Sequence, residues 1–206
     1  MSYAERTRRP PRTLTELEQA RVLKITGEHR DGFRDHVLLS LALGAALREL
    51  ELVSLDVGDV SPDGVQVRQR VALRRFKGSR RQGAPATQEV FLPENAVYKL
   101  KKFLRWKRTA GQSLAPEAPL FVSRHGKRLA TRTVRHLFRK WQERAGFDQP
   151  QRFHALRHSS CTNLYRRTRD IRLVQRVARH ANLKTSTIYA GPSDEDVLRA
   201  VRDLPS

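Results

Sequence analysis

The chain has 206 residues, 38% of them hydrophobic and 30% charged, which is typical of a folded domain with one sizeable core and excludes a disordered chain. Lysine and arginine number 41 against 21 for aspartate and glutamate, and the formal charge of +20 favours nucleic acid as a partner, because a polyanion offsets the self-repulsion. The single cysteine, Cys161, excludes an internal disulfide and a metal site built on cysteine pairs. The sequence contains no run of about 18 apolar residues, so no membrane-spanning helix is predicted.

The N-terminal part of the chain is predicted to be a basic arm followed by helices. Residues 1–12 contain two consecutive prolines, which resist helix formation, and lack the apolar stretch of a secretory signal. We therefore expect a cytoplasmic, nucleoid-associated protein with a flexible arm. Thr13 and Glu16 have the spacing of a capping box at the start of the first helix. A second, apolar helix is predicted over 33–47, and Arg48 begins the short helical stretch that follows.

The middle of the chain changes to an alternating pattern. Val65, Val67 and Val71 lie two and four residues apart, multiples of the two-residue repeat of a strand, which predicts a half-buried strand, and a second strand is predicted at 89–92. The rest is predicted to be helical apart from a short extended segment at 120–122. These helices cover 94–109, a stretch capped by Thr131 or Thr133 that runs to 144, 154–167, 170–180 and a short segment from 193. The expected fold class is mainly α with a small antiparallel β-sheet (α+β).

His154 and Arg157 form an HxxR pair on one of these helices. Their spacing of three places both side chains on one face. A guanidinium fork binds two phosphate oxygens, and an imidazole transfers protons near neutral pH. The pair favours a phosphate site, although an arginine-rich chain also produces such a pair by chance.

Arg48 and Lys77 are candidates with equally simple structural explanations. Arg48 follows the apolar segment SLALGAAL, and Glu51 is either a plain ion-pair partner or the residue that holds a phosphate-binding arginine. Lys77 lies in FKGSRR between the two predicted strands, where most lysines are simply solvated.

His180 ends a predicted helix, and Tyr189 follows nine residues later. A histidine at that end also suits the helix dipole, and a lone tyrosine is usually half-buried packing. A phenol with a pKa of about 10 is almost wholly protonated at neutral pH, so Tyr189 needs activation to act as a nucleophile.

The order of these residues is more specific than any one of them. The segments that carry them are ALRELELVSLDVGDV, FKG with the returning strand EVFLP, FHALRHSSCTNLY and VARHANLKTSTIYAG. Together they resemble the characteristic boxes of the tyrosine recombinase (phage integrase) family, which includes the Xer-type enzymes. The resemblance covers about residues 13–193, so 13–192 are expected to form a catalytic domain with the fold of that family.

The chain also departs from the family pattern. Arg179 stands where the family usually has glycine, which ends a helix in a left-handed conformation at little cost. Glu49 replaces an apolar residue, and the hairpin around Lys77 has several extra residues. The separate N-terminal DNA-clamping domain common in the family is not expected here, so the chain resembles short members such as fimbrial phase-switch invertases.

The resemblance implies six catalytic residues, which are Arg48, Lys77, His154, Arg157, His180 and Tyr189. The two arginines clamp the non-bridging oxygens of a DNA phosphodiester, and His180 donates a further hydrogen bond to them. His154 accepts the phenol proton as the tyrosine attacks, and Lys77 protonates the departing 5′ oxygen. The product is a 3′-phosphotyrosine, and rejoining needs no ATP. No metal or other cofactor is expected, because the cations are side chains.

Two other functions remain open on the sequence. A type IB topoisomerase uses similar chemistry but relaxes DNA without strand exchange, and a non-catalytic DNA-binding regulator tolerates loss of the tyrosine or an arginine. RNA binding lacks a recognised module. Recombination implies double-stranded DNA and a homo-tetramer on paired sites. The segment 193–206, with an apolar face at Val197, Leu198 and Val201, is expected to dock on another subunit or to pack on its own domain.

Overall fold

The computed structural model describes residues 12–79, 82–83, 85–189 and 202. Within these residues the regular structure consists of helices, one antiparallel two-stranded hairpin and two 3₁₀ turns. The helices are α1 (Glu16–Glu28), α2 (Phe33–Gly44), α3 (Glu49–Ser54), α4 (Val57–Val60), α5 (Glu94–Thr109), α6 (Thr131–Arg144), α7 (His154–Thr168) and α8 (Ile171–Ala178). The strands are β1 (Arg70–Leu73) and β2 (Gln88–Phe91), and the 3₁₀ turns are Leu183–Thr185 and Thr187–Tyr189. The expected mainly α fold with a small antiparallel sheet is confirmed.

The core is built around α2. This helix is apolar on almost all sides, and α1, α5 and α7 pack against it. Phe103 of α5 and Leu156 of α7 are completely buried there, and each side chain of this size stabilises the fold by about 1.5–3 kcal/mol. Asp35 is a buried charged residue of α2. Its carboxylate accepts hydrogen bonds from Trp141 Nε1 at 2.8 Å and from Arg34, so its burial is compensated.

The starts of α1 and α6 differ from the prediction by one or two residues. Thr15, not Thr13, caps α1: its hydroxyl accepts from the Glu18 backbone N–H, and the Glu18 carboxylate accepts from the Thr15 N–H. The reason is that Leu14 is buried and donates its backbone N–H to Ser159 Oγ at 2.7 Å, which holds the chain extended before the helix. In α6, Thr131 is the first helical residue rather than the cap.

The hairpin begins later than the valine pattern predicts. Val65 precedes β1, because the Asp63 carboxylate accepts hydrogen bonds from the backbone N–H groups of Val65 and Gln66 and closes a turn there. Arg74, just after β1, contacts Asp56 at 2.6 Å and Asp59 at 2.9 Å. These ion pairs anchor the hairpin to α4 and so position the turn that carries Lys77.

A left-handed residue ends the α2 region and prepares the site. The helix stops at Gly44 rather than at 47, and Ala46 has a φ of +49°. The chain therefore turns sharply and places Arg48 at the N-terminus of α3. Between α7 and α8, Asp170 caps α8 by accepting from the backbone N–H groups of Arg172 and Leu173.

Two expected terminal segments lie mostly outside the described residues, namely the arm at 1–12 and the tail at 193–206. Arg12 is described, and its guanidinium donates to Gln149 Oε1 at 2.8 Å. Across the described part of the chain, no helix combines the length and the apolar character that spanning a membrane requires.

Candidate active site

Arg48 and Glu51 form the first part of the site. Arg48 donates from Nη1 to Glu51 Oε1 at 2.6 Å and from its backbone N–H to Oε2 at 2.8 Å. Arg179 donates from Nη2 to the same Oε2 at 2.6 Å. The Glu51 side chain is fully buried, which by itself raises its pKa, but Arg179 and Arg48 outweigh burial and the pKa is lowered. A charged carboxylate is thus shared by two guanidinium groups.

Arg157 links two parts of the backbone. Its two terminal nitrogens donate to the carbonyl oxygens of Ala46 and Ala178, which lie before α3 and at the end of α8. Arg157 is only 2% exposed, and burial together with Arg48 and Arg179 lowers its pKa to about 10. The guanidinium remains charged at neutral pH with carbonyls rather than a carboxylate as its hydrogen-bond partners.

Tyr189 is held beside two histidines. Its hydroxyl lies 2.7 Å from His158 Nδ1, and its ring is stacked 6.2 Å from the ring of His180. Tyr189 is 7% exposed, and burial and the neighbouring Cys161 raise its pKa above the ordinary value of a phenol. Burial, His154 and Arg157 lower the pKa of His158 to about 4. At neutral pH a protonated phenol therefore faces an uncharged imidazole. The phenol donates a hydrogen bond to Nδ1 in the tautomer in which Nδ1 carries no proton.

His154 and His180 complete the cluster from opposite sides. His154 is exposed, and its ring meets His158 edge to face at 4.6 Å. Partial desolvation of the ring by its neighbours and the positive charges of Arg157, Arg48 and Lys77 lower its pKa. His180 Nδ1 lies 2.8 Å from Ser186 Oγ, and burial, Arg157 and Arg48 lower the His180 pKa to about 4.

An open cleft of about 610 Å³ lies in front of these groups. Arg48, Lys77, Arg179 and His180 are among its lining residues, with Gln88 of the hairpin on the same side as Lys77. Lys77 is exposed and faces the cleft, so the hairpin brings it to the arginines despite its extra residues. The six residues predicted from the sequence are therefore gathered around one region, in which Arg48, Lys77 and His180 line the cleft and His154, Arg157 and Tyr189 lie next to these residues without lining it.

Two residues of the site were not predicted. His158, not His154, contacts the Tyr189 hydroxyl. His158 follows His154 by four residues, so the helix repeat places both side chains on the same face, and this spacing was the signal that could have identified it. Arg179 was noted only as a departure from glycine, whereas its side chain is bound to Glu51. No sequence pattern indicated that contact, because the two residues are 128 positions apart. Among the described residues, no group of three or more histidine, cysteine, aspartate or glutamate side chains is placed to hold a metal ion.

The comparison with known sequences agrees with this geometry. A profile of the phage integrase family matches residues 12–196, almost the whole chain. The chain belongs to the phage integrase family. One relative of this chain is tyrosine recombinase XerC from Salmonella typhi, which is 31% identical over 189 residues. Another is tyrosine recombinase XerC from Vibrio parahaemolyticus serotype O3:K6, which is 31% identical over 192 residues. The alignments cover 92% and 90% of this chain but 58% and 56% of the relatives, so the chain spans little more than half their length.

Solved structures show that this chain has the fold of tyrosine recombinase catalytic domains. The XerA recombinase superposes with a TM-score of 0.74 at 24% identity, covering 95% of this chain and 66% of that chain. The XerH site-specific recombinase, bound to a palindromic difH substrate in a post-cleavage complex, gives a TM-score of 0.74 at 20% identity, covering 94% of this chain and 53% of that chain.

Proposed function

We propose that this chain is the catalytic domain of a site-specific recombinase, spanning about residues 13–192, which cuts double-stranded DNA and rejoins it through a covalent bond to Tyr189. The observation that carries the proposal is the placement of a tyrosine hydroxyl on a neutral histidine, next to arginines that border one cleft. The family membership and the XerC relatives support it, as does the structural likeness to XerH bound to its difH substrate.

The proposed first step is an in-line displacement at a DNA phosphodiester. The Tyr189 oxygen forms a bond to phosphorus, and the bond from phosphorus to the 5′ oxygen breaks. Charge develops on the non-bridging oxygens, where Arg48, Arg157 and His180 donate hydrogen bonds. Lys77 gives a proton to the departing 5′ oxygen, which leaves as a hydroxyl. A second 5′ hydroxyl then attacks the phosphotyrosine and releases the phenol, so the number of phosphodiester bonds is conserved.

His158 is the group best placed to receive the phenol proton. Its Nδ1 already contacts the hydroxyl, whereas the exposed His154 reaches the tyrosine only through the His158 ring. The shifted pKa values alone oppose this transfer, because the pKa of the phenol is raised and that of His158 is lowered. A bound phosphate favours the transfer in two ways: its negative charge raises the histidine pKa, and the bond that forms from the Tyr189 oxygen to phosphorus takes up the charge of the developing phenolate.

The proposal is tested by trapping the covalent intermediate. The protein is incubated with a nicked duplex that carries its recognition sequence and loses the short 5′ fragment on cleavage. A denaturation-resistant adduct is expected with the wild type and none with Tyr189→Phe, while both bind the duplex equally. Tyr98→Phe, at an exposed position on α5, is the control and keeps the adduct. An adduct of normal yield with Tyr189→Phe contradicts the assignment.

Assembly and cellular context belong to the same proposal. Strand exchange joins two duplexes, each cut on both strands, so four copies of the active site act together in a homo-tetramer on paired sites. We propose that the protein acts on double-stranded DNA in the cytoplasm, in association with the nucleoid. Whether the outcome is integration, excision or inversion is set by the arrangement of the target sites.

A further inference from the structure

Arg179 occupies the end of α8 at considerable cost. Its φ is +55°, in the left-handed region that favours glycine, and its side chain is only 6% exposed. Its Nε is buried and has no hydrogen-bond partner among the described residues. Glycine, which the family usually has here, avoids the backbone strain, the buried charge and the unpaired donor. Backbone strain and a buried charge both destabilise the fold, so their presence at the edge of the candidate active site indicates that Arg179 has a role in function.

The contacts of Arg179 join the two arginines that were predicted to bind phosphate. Nη2 donates to Glu51 Oε2 at 2.6 Å, and Glu51 is the carboxylate that holds Arg48. The same Nη2 also lies 3.3 Å from the carbonyl oxygen of Ala46, which accepts from Arg157. Arg179 therefore bridges the partner of Arg48 and the partner of Arg157.

Arg179 also changes the charge of the cleft. With glycine at this position, the cluster holds the guanidinium groups of Arg48 and Arg157 and the carboxylate of Glu51, so its net charge is +1. With Arg179 the cluster holds three guanidinium groups, of which Arg48 and Arg179 are hydrogen-bonded to Glu51 and Arg157 to main-chain carbonyls, so its net charge is +2. A phosphodiester carries one negative charge in the ground state and gains a second in the pentacovalent transition state. The additional charge is therefore complementary to the transition state more than to the substrate.

We propose that Arg179 is a positioning residue for phosphate recognition, which fixes Arg48 and Arg157 relative to each other through Glu51 and Ala46 and strengthens transition-state binding in the cleft. The inference rests on the proposed strand-cleavage function. It concerns a residue that stands where the family usually has glycine, and its expected effect is on the rate of cleavage rather than on the affinity for DNA.

The chain offers a matched control in Arg169. This residue ends α7 as Arg179 ends α8, with a φ of +53°, and it is exposed beside Tyr165. Arg169→Gly removes the same charge and relieves the same backbone strain without touching the cleft. Both variants lose one positive charge and one strained residue, so a difference between their cleavage rates reports the contacts that Arg179 makes at the active site.

The first measurement is single-turnover cleavage of the nicked duplex. Arg179→Gly is expected to slow cleavage by about tenfold to a hundredfold, with DNA affinity changed less than about twofold, and Arg169→Gly to cleave like the wild type. Repeating the assay with a methylphosphonate at the scissile position removes one charged non-bridging oxygen. The defect of Arg179→Gly should then shrink, since the lost positive charge has less negative charge to stabilise. Equal defects on both substrates assign Arg179 a purely structural role and overturn the proposal, as does wild-type cleavage by Arg179→Gly.

A second measurement does not depend on cleavage. Arg179 is one of the positive charges that lower the pKa of His180, so an NMR titration of that imidazole should show a higher pKa in Arg179→Gly than in the wild type or Arg169→Gly. An unchanged His180 pKa in a folded Arg179→Gly protein contradicts the electrostatic role even if the wild type forms no adduct. Absence of the adduct in the wild type contradicts the recombinase proposal instead, so the two failures are distinguishable.

Discussion

At the scale of single residues, Arg48 and Arg157 bind different partners and should respond differently to substitution. Arg48→Ala leaves Glu51 paired with Arg179, so we expect a stable protein whose cleavage rate falls by about a hundredfold or more. Arg157→Ala should lose at least as much activity and also some stability, because the Ala178 carbonyl loses its side-chain donor and the Ala46 carbonyl loses one of two. Single-turnover cleavage and urea unfolding measure the two effects.

The exposed Arg139, which forms an ion pair with Glu143 on α6, supplies the control for these variants. Arg139→Ala should change neither the rate nor the stability by much, because exposed ion pairs contribute little. Near-normal cleavage by Arg48→Ala would leave that residue with a structural role alone.

His158 gives a second residue-scale prediction. Asparagine retains a hydrogen-bond acceptor for the Tyr189 hydroxyl but cannot take up its proton. His158→Asn is therefore expected to slow cleavage by about a hundredfold, within the usual range for loss of a general base, and His154→Asn to have a smaller effect. The rates are compared on the same nicked duplex near neutral pH. The reverse order of effects would restore His154 as the proton acceptor, as the sequence resemblance implies.

At the scale of elements, the start of α1 is a direct test of the capping geometry. Thr15→Ala removes the hydroxyl that accepts from the Glu18 N–H and should lower the free energy of unfolding by about 1 kcal/mol. Thr13→Ala lies two residues outside the helix and should change it by less than about 0.5 kcal/mol. Urea denaturation of both variants decides between the two candidate caps, and a larger loss at Thr13 would argue against the observed geometry.

The elements also show what sequence patterns can and cannot predict. The helix over 94–109 was placed to the residue, because α5 has a clear apolar stripe, whereas the first strand was placed too early because a turn at Asp63 uses the backbone of Val65. Within the site, the order of boxes identified Arg48, Arg157 and Tyr189 as neighbours. The contact between Arg48 and Glu51 was predicted from their spacing of three. The contacts from Arg179 to Glu51 and from His158 to Tyr189 were not predictable, since they depend on how separate helices pack.

At the scale of the whole molecule, the charge of +20 predicts how the protein binds DNA. If binding neutralises about six phosphates, the logarithm of affinity should fall with the logarithm of salt concentration with a slope near −5. Fluorescence anisotropy of a labelled duplex across a salt series measures this slope. A flat response would mean that the basic side chains serve another purpose.

Assembly provides the second prediction at this scale. The tail at 193–206 lies outside the described residues apart from Arg202, and its docking on a neighbouring subunit stays a prediction. Deleting it should abolish tetramers on paired-site DNA while adduct formation at a single site survives, because Tyr189 remains. Light scattering of the protein–DNA complex gives the mass, and tetramers formed by the shortened protein would exclude tail docking.

The carbonyl of Ala46 has a consequence for how the site tolerates mutation. It accepts from both Arg157 and Arg179, so a main-chain oxygen is the meeting point of two catalytic-site arginines. No side-chain replacement at this position can delete that acceptor; it can only disturb the left-handed backbone that aims it. Glycine adopts this conformation most readily, so Ala46→Gly should be the most permissive exchange, whereas β-branched residues should be selected against. Substitutions at residue 46 therefore impair the site by changing the backbone conformation that aims the carbonyl, and not by removing a side-chain group.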